Sequence, residues 1–325
     1  MNKQQMEQLA AALPPLRFSL ADQEFSRSTI AQLYLDFYGI NFQKEMPSIV
    51  HGFGCIDSGG FKISAHYWRP QIVTDKKLGT LFLVHGYYDH VGLYGSIIRA
   101  ALEYGYTVVI FDLPGHGLSS GSPAAIECFA QYTQALEVII ERGEDALPKP
   151  WSVVGQSTGA AIVLDHHWQC READKVYPFQ KTILLAPLIR PRGWKQFGWA
   201  LPLLKILSKS FKRHFGVNSH DKNFLDFIAT KDPLQAKSLP VVWIEAVKQW
   251  QARVKNQAPA DVALLIVQGD ADSTVDWRYN LNFLQKKFPD HLRIKIIEGA
   301  AHHLVCESDP LRAEVFDEMF DYLKG

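Results

Sequence analysis

The stretch WSVVGQSTGAAIVLDHHW, residues 151–168, carries the turn on which the fold depends. Its first part is an apolar run ending at Gly155, and its last part has the spacing of a helix. Between them, Gly155-Gln156-Ser157-Thr158-Gly159 fits G-x-S-x-G, the strand-to-helix turn that lifts a serine hydroxyl clear of a sheet. Three fixed positions recur by chance in a chain of this size at a rate of about 0.1, so the match alone is weak. The setting is what gives it weight. Side chains flanking so sharp a turn would collide, and glycine stands on either side of the serine.

Working outward, the same kind of apolar run recurs as TLFLVHG (80–86), TVVIFD (107–112), KTILLAP (181–187), VALLIVQG (262–269) and LRIKIIEG (292–299). Continuous apolar runs mark strands covered on both faces, as in a parallel sheet. FKISAHYW (61–68) alternates instead and predicts a half-exposed strand. Helices are expected over Gly92 to Tyr104, Ala124 to Arg142, Ser157 to Arg171, Trp277 to Lys287 and Asp309 to Leu323. This alternation predicts an α/β fold with a mostly parallel central sheet flanked by helices. Residues 47–187 and 261–325 then form the core, and residues 1–46 a helical extension. Residues 188–260 form a helical cap insertion rich in aromatics, including Trp194, Phe197, Trp199, Phe211, Phe215, Trp243 and Trp250. Extra helices completing a larger core are the competing reading of that interval.

Composition narrows the function classes. The chain has 325 residues, 47% hydrophobic and 21% charged, which excludes disorder. Thirty-four Lys and Arg balance 34 Asp and Glu, so the global field that nucleic-acid binding uses is missing. Cys55, Cys128, Cys170 and Cys306 form no disulfide or zinc spacing, which points to a reducing, cytoplasmic home. MNKQQMEQLAAALPPLRFSL lacks the apolar core of a signal peptide, and no run approaches the roughly 18 apolar residues of a spanning helix.

A serine hydroxyl is a poor nucleophile without a base, and that base needs an orienting carboxylate. Two further strand ends offer both. After VALLIVQG come Asp270, Asp272 and Asp276, and after LRIKIIEG come His302 and His303. Ligands and catalytic groups gather at such strand ends in open α/β sheets. Asp270 and Asp276 also suit a cap for the helix starting near Trp277. His85 and His90 read as turn-formers. His166-His167 has no third ligand at useful spacing, so no metal is expected.

These residues make the chain resemble the α/β-hydrolase superfamily, and within it the monoacylglycerol lipase and lysophospholipase-like group. The resemblance rests on LVHGYYDHVGLY (83–94), FDLPGHGLSSG (111–121), GQSTG, and QGDADSTVD with EGAAHHLVCES, and spans about Leu81 to Ser308. It implies Ser157 as nucleophile, Asp272 as the acid and His302 as the base, with His303 as the alternative base. The backbone amides of Tyr87 and Thr158 become the oxyanion hole, and His116 is structural. The family commonly carries a smaller residue at position 87 and glutamate at position 89. No cofactor is implied. The expected reaction is hydrolysis of a monoacyl lipid ester through an acyl-enzyme, with Trp194, Phe197 and Trp199 as substrate-binding candidates. A small-ester carboxylesterase, an aminopeptidase and a non-catalytic hydrolase-fold binder are the rivals. Finally, Leu204, Leu207, Phe211 and Phe215 make an apolar stripe over Pro202 to Phe215, with Lys205, Lys209, Lys212 and Arg213 beside it. A basic amphipathic helix of this kind suits contact with an anionic membrane surface, and packing of its stripe on the main domain is the alternative.

Overall fold

The computed structural model describes residues 1–71, 78–194 and 208–325, in which eight strands form one sheet. In chain order these are β1 (Ile49–Ser58), β2 (Phe61–Pro70), β3 (Thr80–Val84), β4 (Thr107–Phe111), β5 (Trp151–Gln156) and β6 (Lys181–Leu185). A separate short ladder pairs β7 (Ser210–Lys212) antiparallel with β8 (Ser238–Pro240), and the main sheet closes with β9 (Leu264–Gly269) and β10 (Leu292–Ile297). The spatial order is β1-β2-β4-β3-β5-β6-β9-β10. Pairing is parallel from β4 to β10, whereas β1 and β2 run antiparallel at the other edge.

The helices are α1 (Lys3–Ala12), α2 (Gln23–Ser26), α3 (Thr29–Phe37), α4 (Gly95–Tyr104), α5 (Ala130–Gly143), α6 (Thr158–Glu172), α7 (Lys222–Asp226), α8 (Val241–Lys255), α9 (Trp277–Lys287) and α10 (Asp309–Lys324). They divide between the sheet's two faces. Leu136 and Ile139 of α5, Ile162 and Trp168 of α6, Trp243 and Val247 of α8 and Leu284 of α9 pack with the Phe82, Val84 and Val153 side. Met6, Leu35, Ile97 and Met319, from α1, α3, α4 and α10, pack with Leu81, Leu83 and Val154 on the other. Alternate residues of β3 and β5 thus point into different cores, which is why those strands read as unbroken apolar runs.

Several expectations are corrected. The β2 strand is buried through its middle on both faces, because N-terminal residues cover it: Leu16 and Phe18 join one core, and Met6, Leu9 and Tyr34 the other. β10 is half-exposed, as its place at the sheet edge requires. The predicted helix from Ala124 starts only at Ala130, after a turn in which Ala124 takes φ +53°. β1 was not foreseen: its Gly52 and Gly54 look like breakers but serve packing, since a Cβ on Gly52 would lie 2.0 Å from the Tyr67 ring. Within the 188–260 interval, residues 210–212 are strand and not helix, because they pair with 238–240. The remainder of the expected helix up to residue 207 lies outside the described residues. Among the described residues no helix is long and apolar enough to cross a membrane.

Candidate active site

The C-terminal ends of β3, β5, β9 and β10 converge on one cavity. Ser157 follows β5 directly and takes φ +54°, ψ −110°, a strained conformation for a residue with a Cβ. Three backbone bonds over-determine it, since its N–H donates to Leu185 O (2.8 Å) and its C=O accepts from Leu188 (3.1 Å) and Ala161 (3.2 Å), while nearby Gly155 pairs within the sheet. The flanking glycines are required by space. A Cβ on Gly155 would meet Ala160 N at 2.6 Å, and one on Gly159 would meet Val84 O at 2.0 Å.

His302 Nε2 lies 2.8 Å from Ser157 Oγ, and its Nδ1 lies 2.7 Å from Asp272 Oδ2. A carboxylate at Nδ1 places the ring proton there and leaves the Nε2 lone pair facing the hydroxyl. Asp272 is fixed in turn by Gln268 Nε2 (3.0 Å) and by the N–H groups of Thr274 (2.8 Å) and Val275 (3.1 Å). Burial pushes its carboxyl pKa up, but the His302 ring and these donors outweigh burial and hold it below the usual carboxylate value. Gln156 Nε2 donates to His302 O at 2.9 Å and ties the base's loop to the end of β5. Such a chain can deprotonate a hydroxyl as it attacks an acyl carbon and return the proton to the leaving group.

The other sequence candidates separate. Asp276 caps α9 by accepting from Tyr279 N, as its position suggested. Asp270 does not cap: it accepts from Gly299 N (2.7 Å), bridging the loops after β9 and β10. His303 is buried, and its Nε2 is engaged by Asp89 Oδ1 at 2.9 Å, whereas the nitrogen at Ser157 Oγ is that of His302. His85 donates to Gly86 O and accepts from Leu113 N, and burial pushes its pKa down to about 3. His116 donates to Pro114 O and is pushed by burial to about 4. Both rings are therefore neutral loop supports. His90 is also buried, paired with Asp232 Oδ2 at 2.8 Å.

A cavity of about 320 Å³ opens beside Ser157, with Tyr87, Thr158 and His302 in its wall. Its apolar lining includes Leu93, Leu188, Ile228, Leu239 and Trp243. The Tyr87 ring stacks on Trp243 with centroids 3.8 Å apart, and its hydroxyl donates to Ala124 O at 2.7 Å. Trp194 packs against the edge of one core and is not among the described residues that line this wall; Phe197 and Trp199 lie outside the described residues. Sequence reasoning missed two wall residues, Arg213 and Trp243, as contacts of the site. The aromatic richness of 188–260 pointed toward Trp243, but nothing local marked Arg213.

Residues 75–309 match the family described as serine aminopeptidase, S33. The human monoglyceride lipase is 24% identical over 273 residues, covering 81% of this chain and 87% of that protein. A phospholipase of Bacillus subtilis is 23% identical, covering 74% of this chain and 93% of its own. Among solved structures, a soluble variant of monoglyceride lipase from Saccharomyces cerevisiae, in complex with a substrate analog, has a TM-score of 0.70 at 21% identity, over 83% of this chain and 93% of that one. The matched region contains all four strand ends that build the cavity, and the chain belongs to the serine aminopeptidase S33 family, a serine hydrolase with the α/β-hydrolase fold that resembles the monoacylglycerol lipases.

Proposed function

We propose that the protein hydrolyses carboxylic esters of monoacyl lipids. Ser157 attacks the ester carbonyl as His302 takes its proton, Asp272 holds the imidazole and stabilises its charge, and the amides of Tyr87 and Thr158 receive the oxyanion. Water then releases the acyl group. The observation that carries the reading is the Ser157–His302–Asp272 chain, at 2.8 and 2.7 Å, opening onto a cavity with a largely apolar wall. The described part of the 188–260 interval supplies Arg213, Ile228, Leu239 and Trp243 to the lining.

The family's description mentions an aminopeptidase, which would need a carboxylate to receive the substrate's ammonium group. Among the described wall residues Asp89 is the acidic one, and His303 occupies it. Arg213 in the same wall would repel a second cation. A small-ester carboxylesterase remains the in-class rival. Monoacyl esters of increasing chain length decide between them: kcat/KM should rise from acetate to medium or long chains, and a tenfold preference for acetate or butyrate would overturn the lipid reading.

Exposed Phe215 and Val217 stand by the cavity's wall residues His214 and Gly216, with exposed Lys209 and Lys212 nearby in the chain. This arrangement supports peripheral docking on an anionic lipid surface, and the four free cysteines fit a reducing compartment. Co-sedimentation with phosphatidylserine vesicles should weaken with salt and on replacing Lys209 and Lys212 by Gln.

A further inference from the structure

Arg213 is half-buried in the wall of the same cavity as Ser157. Its guanidinium lies over the Tyr88 ring at 3.9 Å and the Phe215 ring at 4.2 Å from the centroids. Nη1 donates to Gln235 Oε1 (2.6 Å) and Ala236 O (3.2 Å), so the head is held in place. Nε and Nη2 have no acceptor among the described residues, and the group forms no ion pair there. The nearby carboxylates are engaged elsewhere, Asp89 by His303 and Asp232 by His90 and Tyr38. Burial lowers the guanidinium's pKa, the sign of a cation whose lost hydration is not fully replaced.

A held guanidinium with spare N–H donors matches the geometry of a phosphate or carboxylate, which can accept two parallel bonds from it. Building on the ester-hydrolase reading above, we infer that the substrate carries an anionic oxyacid group on its alcohol portion and that Arg213 is the residue that selects it. The substrate class is then a monoacyl ester of a phosphorylated or carboxylated alcohol, such as a lysophospholipid, in preference to a neutral monoacylglycerol. The chemistry balances with water alone. The Ser157 Oγ–acyl bond forms as the ester C–O bond breaks, the serine proton passes through His302 to the leaving alcohol, and water supplies hydroxide to the acyl carbon and a proton back to Ser157. The products are a fatty acid and the free anionic alcohol.

The test compares three esters with one acyl chain: 1-octanoylglycerol, its 3-phosphate, and 3-octanoylglycerate, with wild type, R213K and R213Q. The readout is the ratio of kcat/KM for an anionic ester to that for the neutral one. A charge-assisted pair in this setting is worth about 10- to 100-fold, and the wild-type ratio should fall in that range for at least one anionic ester, whichever is preferred naming the oxyacid. R213Q should bring the ratio toward one, mainly through KM, with R213K between. A wild-type ratio of one or less overturns the inference, and this comparison needs no variant to fold. An R213Q enzyme that slows on all three esters by the same factor overturns it as well, because a purely structural arginine acts that way. Turnover that survives S157A on every ester would instead sink the hydrolase reading itself.

Discussion

His303 Nε2 lies 2.9 Å from Asp89 Oδ1, and both groups are buried. Through its other oxygen, Asp89 accepts from Gly86 N and from the Tyr94 hydroxyl, each at 3.1 Å. The pair therefore fixes the loop after β3 whose next amide, Tyr87, lies in the cavity wall. Loss of an oxyanion donor outright costs roughly 10² to 10³ in kcat. Misplacing one through D89N or H303Q should cost about 10- to 100-fold in kcat with KM changed little, as read by steady-state kinetics on a p-nitrophenyl ester. A change confined to KM would remove these residues from the positioning role.

Asp272 and Asp270 stand two residues apart but meet different partners. The first meets His302 at 2.7 Å, the second the Gly299 amide at 2.7 Å. An amide in place of the orienting carboxylate favours the wrong imidazole tautomer, so D272N should lose about 10⁴ in kcat. D270N should stay within about tenfold of wild type, since loop bonds of this kind contribute about 1 kcal/mol. Reversal of that ranking would move the acid to Asp270.

Trp243 forms part of the cavity wall and stacks on Tyr87 at an interplanar angle of 19°. W243A removes a large side chain from both the wall and the core, with an expected loss of about 3–5 kcal/mol in urea unfolding. The enlarged cavity should shift the kcat/KM optimum toward bulkier acyl groups. An unchanged acyl profile would place the acyl chain elsewhere.

The His90–Asp232 pair, 2.8 Å apart and buried, joins the loop after β3 to the segment leading into β8. Burial opposes charge on both, but their mutual attraction wins, raising the histidine's pKa and lowering the aspartate's. The depressed carboxyl contributes stability above its unfolded value of about 4 that is lost as pH falls through its folded value. The raised imidazole contributes stability below about 6.5 that is lost as pH rises through its folded value. The pair thus stabilises most between about pH 4 and 6.5. Breaking one side of such a pair costs about 3 kcal/mol or more, so D232N should unfold at lower urea at pH 6, with the gap to wild type narrowing toward pH 2. A gap independent of pH would mean that the pair is not ionised.

The parallel strands and the turn at Ser157 were legible because local chemistry dictates them: apolar runs for strands buried on both faces, and glycine where a Cβ would strike backbone. Ser157 could be named from the glycine-flanked turn that follows its strand, whereas Asp272 and His302, three and five residues past the ends of β9 and β10, were singled out among their neighbours by the resemblance to the α/β-hydrolases. β1 was hidden because Gly52 answers to the Tyr67 ring across the hairpin, a long-range packing need that looks locally like a breaker. The roles of Arg213 and His303 were illegible for a related reason. Their importance lies in which partners they have or lack, and those partners are 22 and 214 residues away in the chain. The strand at Ser210–Lys212 depends likewise on Ser238–Pro240, and the local spacing of apolar and basic residues alone favoured a helix.

The central claim is that Ser157 is the acylated residue, activated by His302. Treating the folded protein with a fluorophosphonate and mapping the adduct by peptide mass spectrometry tests this directly. The account predicts one stoichiometric adduct on Ser157, formed in step with loss of esterase activity and nearly abolished in H302A. Labelling of another residue, or full activity in a protein completely modified at Ser157, would contradict it.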